Sequence, residues 1–284
     1  MFDDVTYLDE IKDVSFSIDD GKITGILGNM DSCKDTLIDL MSGLINPGDE
    51  SIIYDGIDDS DIGILYKDAD EQFFYDNIIS DFNLILKRHH VKNVEKRIFD
   101  SLKMVGLSSS FLYRSPFELS LSEQKKISLA LILSFNPKMI VLDEPFLGLD
   151  NKDKNLFIKL INMMKIKYGK TIVIVSKDVD MIHRFSDKVV LINEGRVIKI
   201  GDKYEVLSDE SLLQQCKLKV PKLIKFSILV RENKKINIGY RDDINDLAKD
   251  IYRYLRWLCI CDKILFSGRS VIYEIFNDIF LWWL

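Results

Sequence analysis

The chain has 284 residues, of which 39 are Lys or Arg and 45 are Asp or Glu, and its formal net charge at pH 7 is -6. This length suffices for a large hydrophobic core with a smaller appended domain, and the acidic balance argues against nucleic acid as the main partner, because phosphate backbones are bound by basic surfaces. The sequence opens without a basic region followed by an apolar run and contains no stretch of about 20 apolar residues, so we expect neither secretion nor a membrane span.

The first elements along the chain are predicted strands followed by a helix. Residues 1–20 alternate weakly between apolar and polar side chains, which predicts an antiparallel strand or hairpin. Ile23–Leu27 is predicted to be a buried strand that Gly28 ends, and apolar residues recur at helical spacing from Thr36 onward. The loop at 28–34 therefore lies between the end of a strand and the N-terminus of a helix, where a phosphate would bind.

This loop keeps the outline of a phosphate-binding loop but changes its chemistry. The pattern is G-x-x-x-x-G-K-S/T, in which glycines let backbone N–H groups converge on phosphates, the lysine reaches their oxygens and the hydroxyl holds Mg2+. Gly28 and Lys34 match, but Cys33 replaces the second glycine and Asp35 replaces the Ser/Thr. A side chain at a loop position that needs positive φ costs roughly 1 to 2 kcal/mol, so we expect a strained or reshaped cradle. Asp31 and Asp35 add negative charge, although Asp35 could ligate Mg2+.

The segment after the first helix is predicted to be partly strand and partly helix. Two short strands are predicted at 51–54 and 62–66. Residues 76–105 carry apolar side chains at helical spacing and begin a helical insertion that we predict over about 76–135. Within it, Ser120 followed by Glu123 makes a capping box, which predicts the N-terminus of an apolar helix.

A continuous apolar strand follows, Met139-Ile-Val-Leu-Asp-Glu-Pro, and it ends in two carboxylates. In a parallel sheet, Asp143 and Glu144 would lie at the C-terminal edge, where ligands bind. Further alternating elements are predicted, namely a helix at about 152–167, a strand at 171–175, a short helix and a strand at 188–192. The alternation is typical of an α/β fold with a parallel sheet.

The chain after residue 205 is predicted to form a second domain, 206–284. It contains an amphipathic segment at 244–258 and an apolar end at 276–284. These segments indicate a small α-rich domain whose aromatic residues must pack against another apolar surface. We expect Trp257, Trp282 and Trp283 to be core or interface anchors, and dimerisation is the favoured use of this accessory domain.

Three motifs in a fixed order carry a family resemblance: the modified phosphate loop, a Leu-Ser-x-x-Glu helix start and a strand ending Leu-Asp-Glu-Pro. Together they resemble an ABC-type ATPase, the nucleotide-binding subunit of ABC transporters, over roughly residues 5–210. The segments Asp70-Glu-Gln-Phe-Phe and Asn193-Glu-Gly-Arg-Val and the C-terminal extension look most like the ATPases of energy-coupling-factor transporters. The resemblance implies a P-loop NTPase-type parallel sheet core with an antiparallel β subdomain over residues 1–205, the helical insertion and the α-rich C-terminal domain.

The resemblance also implies roles for single residues. Asp143 matches the Walker B aspartate that positions Mg2+, and Glu144 matches the general base that orients the attacking water. Lys67 stands where the family has the Q-loop glutamine, and Lys177 stands where it has the switch histidine that contacts the γ-phosphate. The signature L-S-G-G-Q appears as Leu119-Ser-Leu-Ser-Glu.

The implied site binds ATP with Mg2+, with Glu144 and Lys177 as candidate catalytic residues and Asp35 and Asp143 as candidate metal ligands. Tyr7 could stack on an adenine, although a half-buried strand tyrosine is an equally good interpretation. The candidate nucleotide-binding residues are Tyr7, Gly28, Asn29, Met30, Asp31, Ser32, Cys33, Lys34, Asp35, Thr36, Lys67, Ser120, Ser122 and Glu123.

In this family two cassettes pack head to tail, and each ATP lies between one chain's Walker A loop and the other chain's signature. The implied partners are a second ABC ATPase subunit and a transmembrane transporter subunit, which would hold the chain at the cytoplasmic face of the cell membrane. Because the changes damage this chain's own loop more than its signature, we expect the degenerate half of an ATPase pair. The alternatives are an inactive pseudo-ATPase that acts as a scaffold or regulator, and an active homodimeric ATPase in which Asp35 holds Mg2+ and Lys177 replaces the histidine.

Overall fold

The structure, a computed structural model, describes residues 1–48, 52–234 and 238–261. Contacts within the chain divide it into two compact units, Met1–Lys219 and Val220–Leu284. The apolar end predicted at 276–284, with Trp282 and Trp283, lies outside the described residues, and so does the side chain of Trp257.

An antiparallel hairpin opens the first unit. Its strands are β1, Phe2–Tyr7, and β2, Ile11–Phe16. They pair with Phe2 opposite Phe16 and Val5 opposite Val14, and all four side chains are buried. The hairpin predicted within residues 1–20 is confirmed.

The main sheet of the first unit has six strands. They are β3 (Ile23–Leu27), β4 (Ile62–Leu65), β5 (Met139–Asp143), β6 (Thr171–Ser176), β7 (Lys188–Asn193) and β8 (Arg196–Asp202). Their spatial order is β4-β5-β6-β3-β7-β8, and every neighbouring pair is parallel except β7 with β8. The strands β3, β5 and β6 are buried along their whole length, as expected for parallel strands covered on both faces.

One prediction about short strands was wrong, and one strand was missed. No strand covers the described residues 52–54, where Ile52 forms only an isolated bridge with Phe2. The strand β8 was not predicted, and it pairs with β7 after the turn at 194–195. The strand β8 lies at the edge of the sheet and has one neighbour. Its side chains are exposed or only partly buried, so its hydrophobic pattern is weak.

Helices cover the sheet and make up the described part of the second unit. They are α1 (Lys34–Met41), α2 (Ile78–Arg88), α3 (Val94–Met104), α4 (Leu121–Phe135), α5 (Asn151–Ile166), α6 (Val179–Phe185), α7 (Lys203–Leu207), α8 (Glu210–Gln215), α9 (Lys222–Lys234) and α10 (Ile244–Cys261). Short 3-10 turns lie at Asp59–Asp61, Ala69–Gln72, Ser109–Tyr113 and Pro116–Glu118. Over the described residues, no helix combines the length and the apolarity needed to cross a lipid bilayer.

The helix α4 is the most buried helix of the segment predicted as a helical insertion. Its predicted capping box is confirmed, because Ser120 Oγ accepts the Glu123 N–H at 3.3 Å and the Glu123 carboxylate accepts the Ser120 N–H at 3.0 Å. The helix packs on α2, α3 and β4. It ends at Asn136, which has a left-handed backbone and precedes Pro137.

The first unit ends at Lys219, beyond the domain boundary predicted at residue 205. The reason is that α7 packs on α6, β7 and β8, and that Leu213 and Cys216 are buried as well. In the second unit, Val230 of α9 and Leu247 and Ile251 of α10 form a core cluster with Ile238, which lies between the two helices in the chain. Its described residues are therefore mainly helical, as predicted.

Candidate functional site

Three parallel strands bring the candidate site together. The strands β3 and β5 both pair with β6, and Asp143 lies opposite Val175. Parallel neighbours end at the same edge of a sheet, so the loop after β3, the carboxylates after β5 and the residues after β6 meet there. Glu144 joins two of these segments directly, because its carboxylate accepts hydrogen bonds from Ser176 Oγ at 2.7 Å and from the Lys177 N–H at 2.8 Å.

The loop after β3 folds tightly on itself. A Cβ on Gly28 would lie 2.4 Å from Ser32 Oγ and 2.8 Å from the carbonyl oxygen of Ile192, so only glycine fits there. Ser32 is fully buried, and its hydroxyl donates to the Asn29 carbonyl at 2.7 Å. The loop therefore places its backbone close together, as a phosphate cradle requires.

Cys33 has the positive φ that the loop pattern predicted. Its φ is 59° and its ψ is 35°, in the left-handed region, and it occupies the N-cap position of α1 without making a side-chain cap. Burial raises the pKa of its thiol, and the carboxylate of Glu10 acts in the same direction. A residue with a Cβ thus occupies a conformation that favours glycine.

Lys34 points back into its own loop. Its side chain is buried, and its ammonium donates to the carbonyl of Gly28 at 3.0 Å, to Ser32 Oγ at 3.0 Å and to the carbonyl of Asn29. Burial lowers the pKa of the amine, while nearby carboxylates, led by Glu144, oppose that change. Because an ammonium has three N–H donors, all of them are satisfied inside the loop. A phosphate would have to replace at least one of these partners.

Asp143 is buried at the end of β5, where it is 5% exposed. Burial raises its pKa to about 7, the carboxylates of Asp35 and Glu144 add to the rise, and a hydrogen bond from the backbone of Lys67 opposes it. Asp35 lies exposed in the first turn of α1. The two candidate Mg2+ ligands are thus close enough for their charges to interact.

A metal at this place would need ligands beyond the two carboxylates. Among the residues that the structure describes, no group of three or more His, Cys, Asp or Glu side chains is arranged to hold a metal ion. Mg2+ commonly takes one or two carboxylates and completes its shell with water and phosphate oxygens. Asp35 and Asp143 fit that requirement only together with a nucleotide.

Sequence reasoning missed Lys125, which contacts the candidate base. Its ammonium donates to the carbonyl of Glu144 at 2.8 Å, and its side chain is 4% exposed. Burial lowers the pKa of this amine to about 8, although the carboxylates of Asp143 and Glu144 act to raise it. The available signal was helical spacing, since Lys125 shares the buried stripe of Ser128 and Ile132 on α4.

The two lysines that were predicted to stand at the Q-loop and switch positions border the site. Lys177 is exposed, and its charge helps to lower the pKa of Lys34. Lys67 is also exposed, and it reaches Asp143 through its backbone. The structure therefore places both predicted lysines beside the carboxylates.

The signature residues form a separate network at the start of α4. Ser120 and Glu123 engage each other in the capping box, and these hydrogen bonds hold the pKa of Glu123 below its usual value. Ser122 Oγ donates to the carboxylate of Asp153, which also pairs with Lys126 at 3.1 Å. No hydrogen bond or ion pair among the described residues joins Ser120, Ser122 or Glu123 to the loop at 28–34 of the same chain.

The remaining candidates lie around the loop. Tyr7 is half-buried and packs against the core of the first unit, and its stacking on an adenine stays a prediction. Met30 is 84% exposed, and the hydroxyl of Thr36 donates to Glu10.

Asn29 and Asp31 bond to each other and to neighbours. The side chain of Asn29 accepts the Asp31 N–H at 3.0 Å and donates to Asn193 at 3.4 Å. Asp31 pairs with Lys217 at 3.5 Å, but both side chains are largely exposed, so this pair contributes little stability.

Comparisons with known proteins agree with the motifs and the sheet. A family model described as ABC transporter matches residues 11–147. The energy-coupling factor transporter ATP-binding protein EcfA2 of Caldanaerobacter subterraneus subsp. tengcongensis is 32% identical over 265 residues, which cover 87% of this chain and 91% of that protein. The chain belongs to the ABC transporter family. Within it, the chain is an ATPase of the energy-coupling-factor type, a family that uses ATP and Mg2+ in general.

Solved structures of ABC proteins have the same fold. The structure of CbiO1 from Clostridium perfringens, described as part of the ABC transporter complex CbiONQ, has a TM-score of 0.63 and 27% identity, and the match covers 79% of this chain and 96% of that one. A dimeric bacterial ABC transporter cassette, MJ0796, has a TM-score of 0.60 and 24% identity, with 68% and 90% covered. The predicted fold class is confirmed.

We expect Cys33→Gly to raise the free energy of unfolding by up to roughly 1 kcal/mol, since it removes a left-handed Cβ while increasing the entropy of the unfolded chain. Chemical denaturation would measure the change. Asn136→Gly is the control, because Asn136 has a φ of 60° but asparagine tolerates that region better. A loss of stability in Cys33→Gly would contradict the inferred strain.

We expect Asp143→Asn to change how stability depends on pH. The pKa of Asp143 is raised from 3.8 to about 7, so the native chain loses stability as pH rises through that range. Because each pKa unit corresponds to about 1.4 kcal/mol, the variant should be more stable than the native chain by a few kcal/mol at about pH 8 and similar to it at about pH 4.

Denaturation at several pH values measures this difference. Asp61→Asn is the control, because a hydrogen bond from Lys138 lowers the pKa of Asp61, so that this group stabilises the native chain more, and not less, as pH rises from about 4. An equal effect of Asp143→Asn at both ends of the pH range would show that Asp143 is not desolvated in the native protein.

Proposed function

We propose that this chain is the degenerate half of a pair of ABC ATPases that couples ATP binding and hydrolysis to solute uptake by an energy-coupling-factor-type transporter. The observation that carries the proposal is the contrast between its two half-sites. The ammonium of Lys34 is satisfied by its own loop, whereas the signature end of α4 is exposed and its capping box is intact.

The chain's own half-site departs from the family at four positions. Cys33 introduces backbone strain, Asp35 replaces the hydroxyl that would hold Mg2+, and Lys67 and Lys177 replace groups that sense the γ-phosphate. Losing one well-placed stabilising group can lower a rate by about 10^2 to 10^3. Several such losses together leave very little turnover at this half-site, even with Glu144 retained.

The signature half-site has lost less. The first N–H groups of a helix have no partner within the helix, and they attract phosphate oxygens. At the start of α4, the Glu123 N–H is used by the capping box. The N–H groups of Leu121 and Ser122 lie in the first turn of the helix, and Leu121 is 65% exposed. The charge of Glu123 is partly balanced by its hydrogen bonds with Ser120.

The names of related proteins support the partners of the proposal. One structural neighbour is part of an ABC transporter complex, and another is a dimeric cassette. By analogy, this chain would bind a second ATPase whose Walker A loop faces Ser120 and Ser122, and a transmembrane subunit that holds it at the cytoplasmic face of the membrane. The accessory domain, which was predicted at 206–284 and corresponds to the unit Val220–Leu284, would take part in dimerisation.

A second function is favoured by the hydrogen bonds that the Lys34 ammonium makes within its own loop. A chain whose cradle binds no nucleotide can act as a pseudo-ATPase that only holds or regulates its partners. The proximity of Asp35 to Asp143 instead favours the third possibility, an active homodimer with an unusual Mg2+ site. Nucleotide titration separates the active homodimer from the other two possibilities, and a variant of the signature separates the degenerate half of a pair from the pseudo-ATPase.

We expect calorimetric titration with Mg-ATP to detect weak binding or none in the native chain. The variant with Asp31→Gly, Cys33→Gly and Asp35→Ser restores the family's loop chemistry, and it should bind at least about tenfold more tightly, a gain of about 1.4 kcal/mol. Adding Lys34→Met to this variant is the matched control, and it should abolish the gain. Tight binding and hydrolysis by the native chain would instead establish an active ATPase.

We expect Leu121→Glu to lower the ATPase rate of the complex reconstituted with an intact ATPase partner and a transmembrane subunit by about tenfold or more, because a carboxylate would face the partner's γ-phosphate. Leu121 is exposed, so the fold should not change. Ile166→Glu is the control, since Ile166 is the last residue of α5 and is 81% exposed. An unchanged rate in the assembled Leu121→Glu complex would refute the proposed role of this signature.

A further inference from the structure

The helix α4 holds both ends of the segment 144–153, which connects β5 to α5. At the first end, the Lys125 ammonium donates to the carbonyl of Glu144 at 2.8 Å. At the other end, Ser122 Oγ donates to the carboxylate of Asp153, and Lys126 pairs with the same carboxylate at 3.1 Å. The positions of the two ends of this segment therefore depend on α4.

The first of these anchors holds an unusual backbone. Glu144 has a φ of 38°, which is disfavoured for a residue with a Cβ. Such a conformation persists when surrounding contacts over-determine it. Here the Glu144 N–H donates to the carbonyl of Val175 at 2.9 Å, and its carbonyl accepts the Leu147 N–H at 3.1 Å besides the Lys125 ammonium.

The charge of Lys125 also faces the site. A buried ammonium is costly unless opposite charges and hydrogen bonds compensate for its desolvation. The carboxylates of Asp143, Glu144 and Asp68 surround this amine closely enough to favour its charged form, whereas Lys67 opposes it. An apolar side chain would fill the same space without the desolvation cost, so the position favours a role for the charge itself.

We propose that Lys125 is a positioning residue of the nucleotide site, which fixes the peptide of Glu144 and supplies a counter-charge to the carboxylates at the end of β5. Through this contact, the orientation of Glu144 follows the helix that carries the signature. The inference concerns the same site as the proposed function, but it requires no ATP turnover by this chain.

Hydrogen exchange in the full chain tests the positioning role. The Leu147 N–H donates to the Glu144 carbonyl, and the Lys177 N–H donates to its carboxylate at 2.8 Å, so both amides report on Glu144. Lys125→Met should accelerate exchange at both amides by about tenfold or more, as expected for the loss of a hydrogen bond from a charged donor. Lys125→Arg, which keeps the charge, should restore near-native rates.

The matched control is Lys170→Met. Lys170 is also a desolvated lysine that donates to backbone carbonyls, those of Pro137 at 2.5 Å and Asn136 at 3.3 Å, but it precedes β6 and so lies at the opposite edge of the sheet. Its loss should leave exchange at Leu147 and Lys177 unchanged. Where Lys125→Met does not fold, Lys125→Gln provides the same comparison with a neutral polar side chain.

A double-mutant cycle tests the counter-charge. Glu144→Gln keeps the shape of the side chain and removes its charge. Lys125→Met should therefore raise the equilibrium constant for unfolding by a smaller factor in the Glu144→Gln background than in the native background, and the two factors should differ by about threefold or more. A contact with the backbone carbonyl alone predicts no coupling to the side-chain charge.

The outcomes are distinct. Unchanged exchange in Lys125→Met, or an equal increase in Lys170→Met, would overturn the positioning role, and additive effects in the cycle would overturn the counter-charge. Neither readout uses nucleotide, so a failure here is separate from a failure of the proposed function, which the Mg-ATP titration and the signature variant test.

Discussion

The parallel pairing of β3 and β5 with β6 is the constraint on which the rest of the site depends. It brings the loop after Leu27, the carboxylates at Asp143 and Glu144, and the residues after Ser176 to one edge of the sheet. The three segments are far apart in sequence, and none of them could assemble a site alone. The hydrogen bonds from Ser176 and Lys177 to Glu144 are a direct result of this shared edge.

Buried charges of both signs are balanced at that edge. Lys34 and Lys125 are buried cations whose pKa values are lowered by desolvation, and Asp143 is a buried acid whose pKa is raised for the same reason. Each group is tolerable only because the others are near, since an isolated buried charge is very costly. Asp35 adds a further negative charge to this balance, since its carboxylate helps to raise the pKa of Asp143. The same helix α4 supplies Lys125 to this edge and carries the capping box of Ser120 and Glu123 at its N-terminus.

Local sequence signals predicted much of the fold and the outline of the site. The strand Ile23–Leu27, the loop and the helix after it follow from hydrophobic periodicity and glycine. The capping box of Ser120 and Glu123 involves residues three apart, so it is readable from the sequence. The burial of Asp143 at a strand end likewise follows from an apolar run that stops in carboxylates.

The sequence by itself determined the local elements and their order along the chain, because strands, helices and caps depend on neighbours within a few residues. Only the tertiary structure decided how the charges are used. The ammonium of Lys34 is satisfied within its loop, Lys125 reaches Glu144, and Ser122 is engaged by Asp153. The edge strand β8 and the extension of the first unit to Lys219 also depend on tertiary packing. These features arise from the folded path of the backbone and from contacts between distant segments, and no local pattern of hydropathy encodes them.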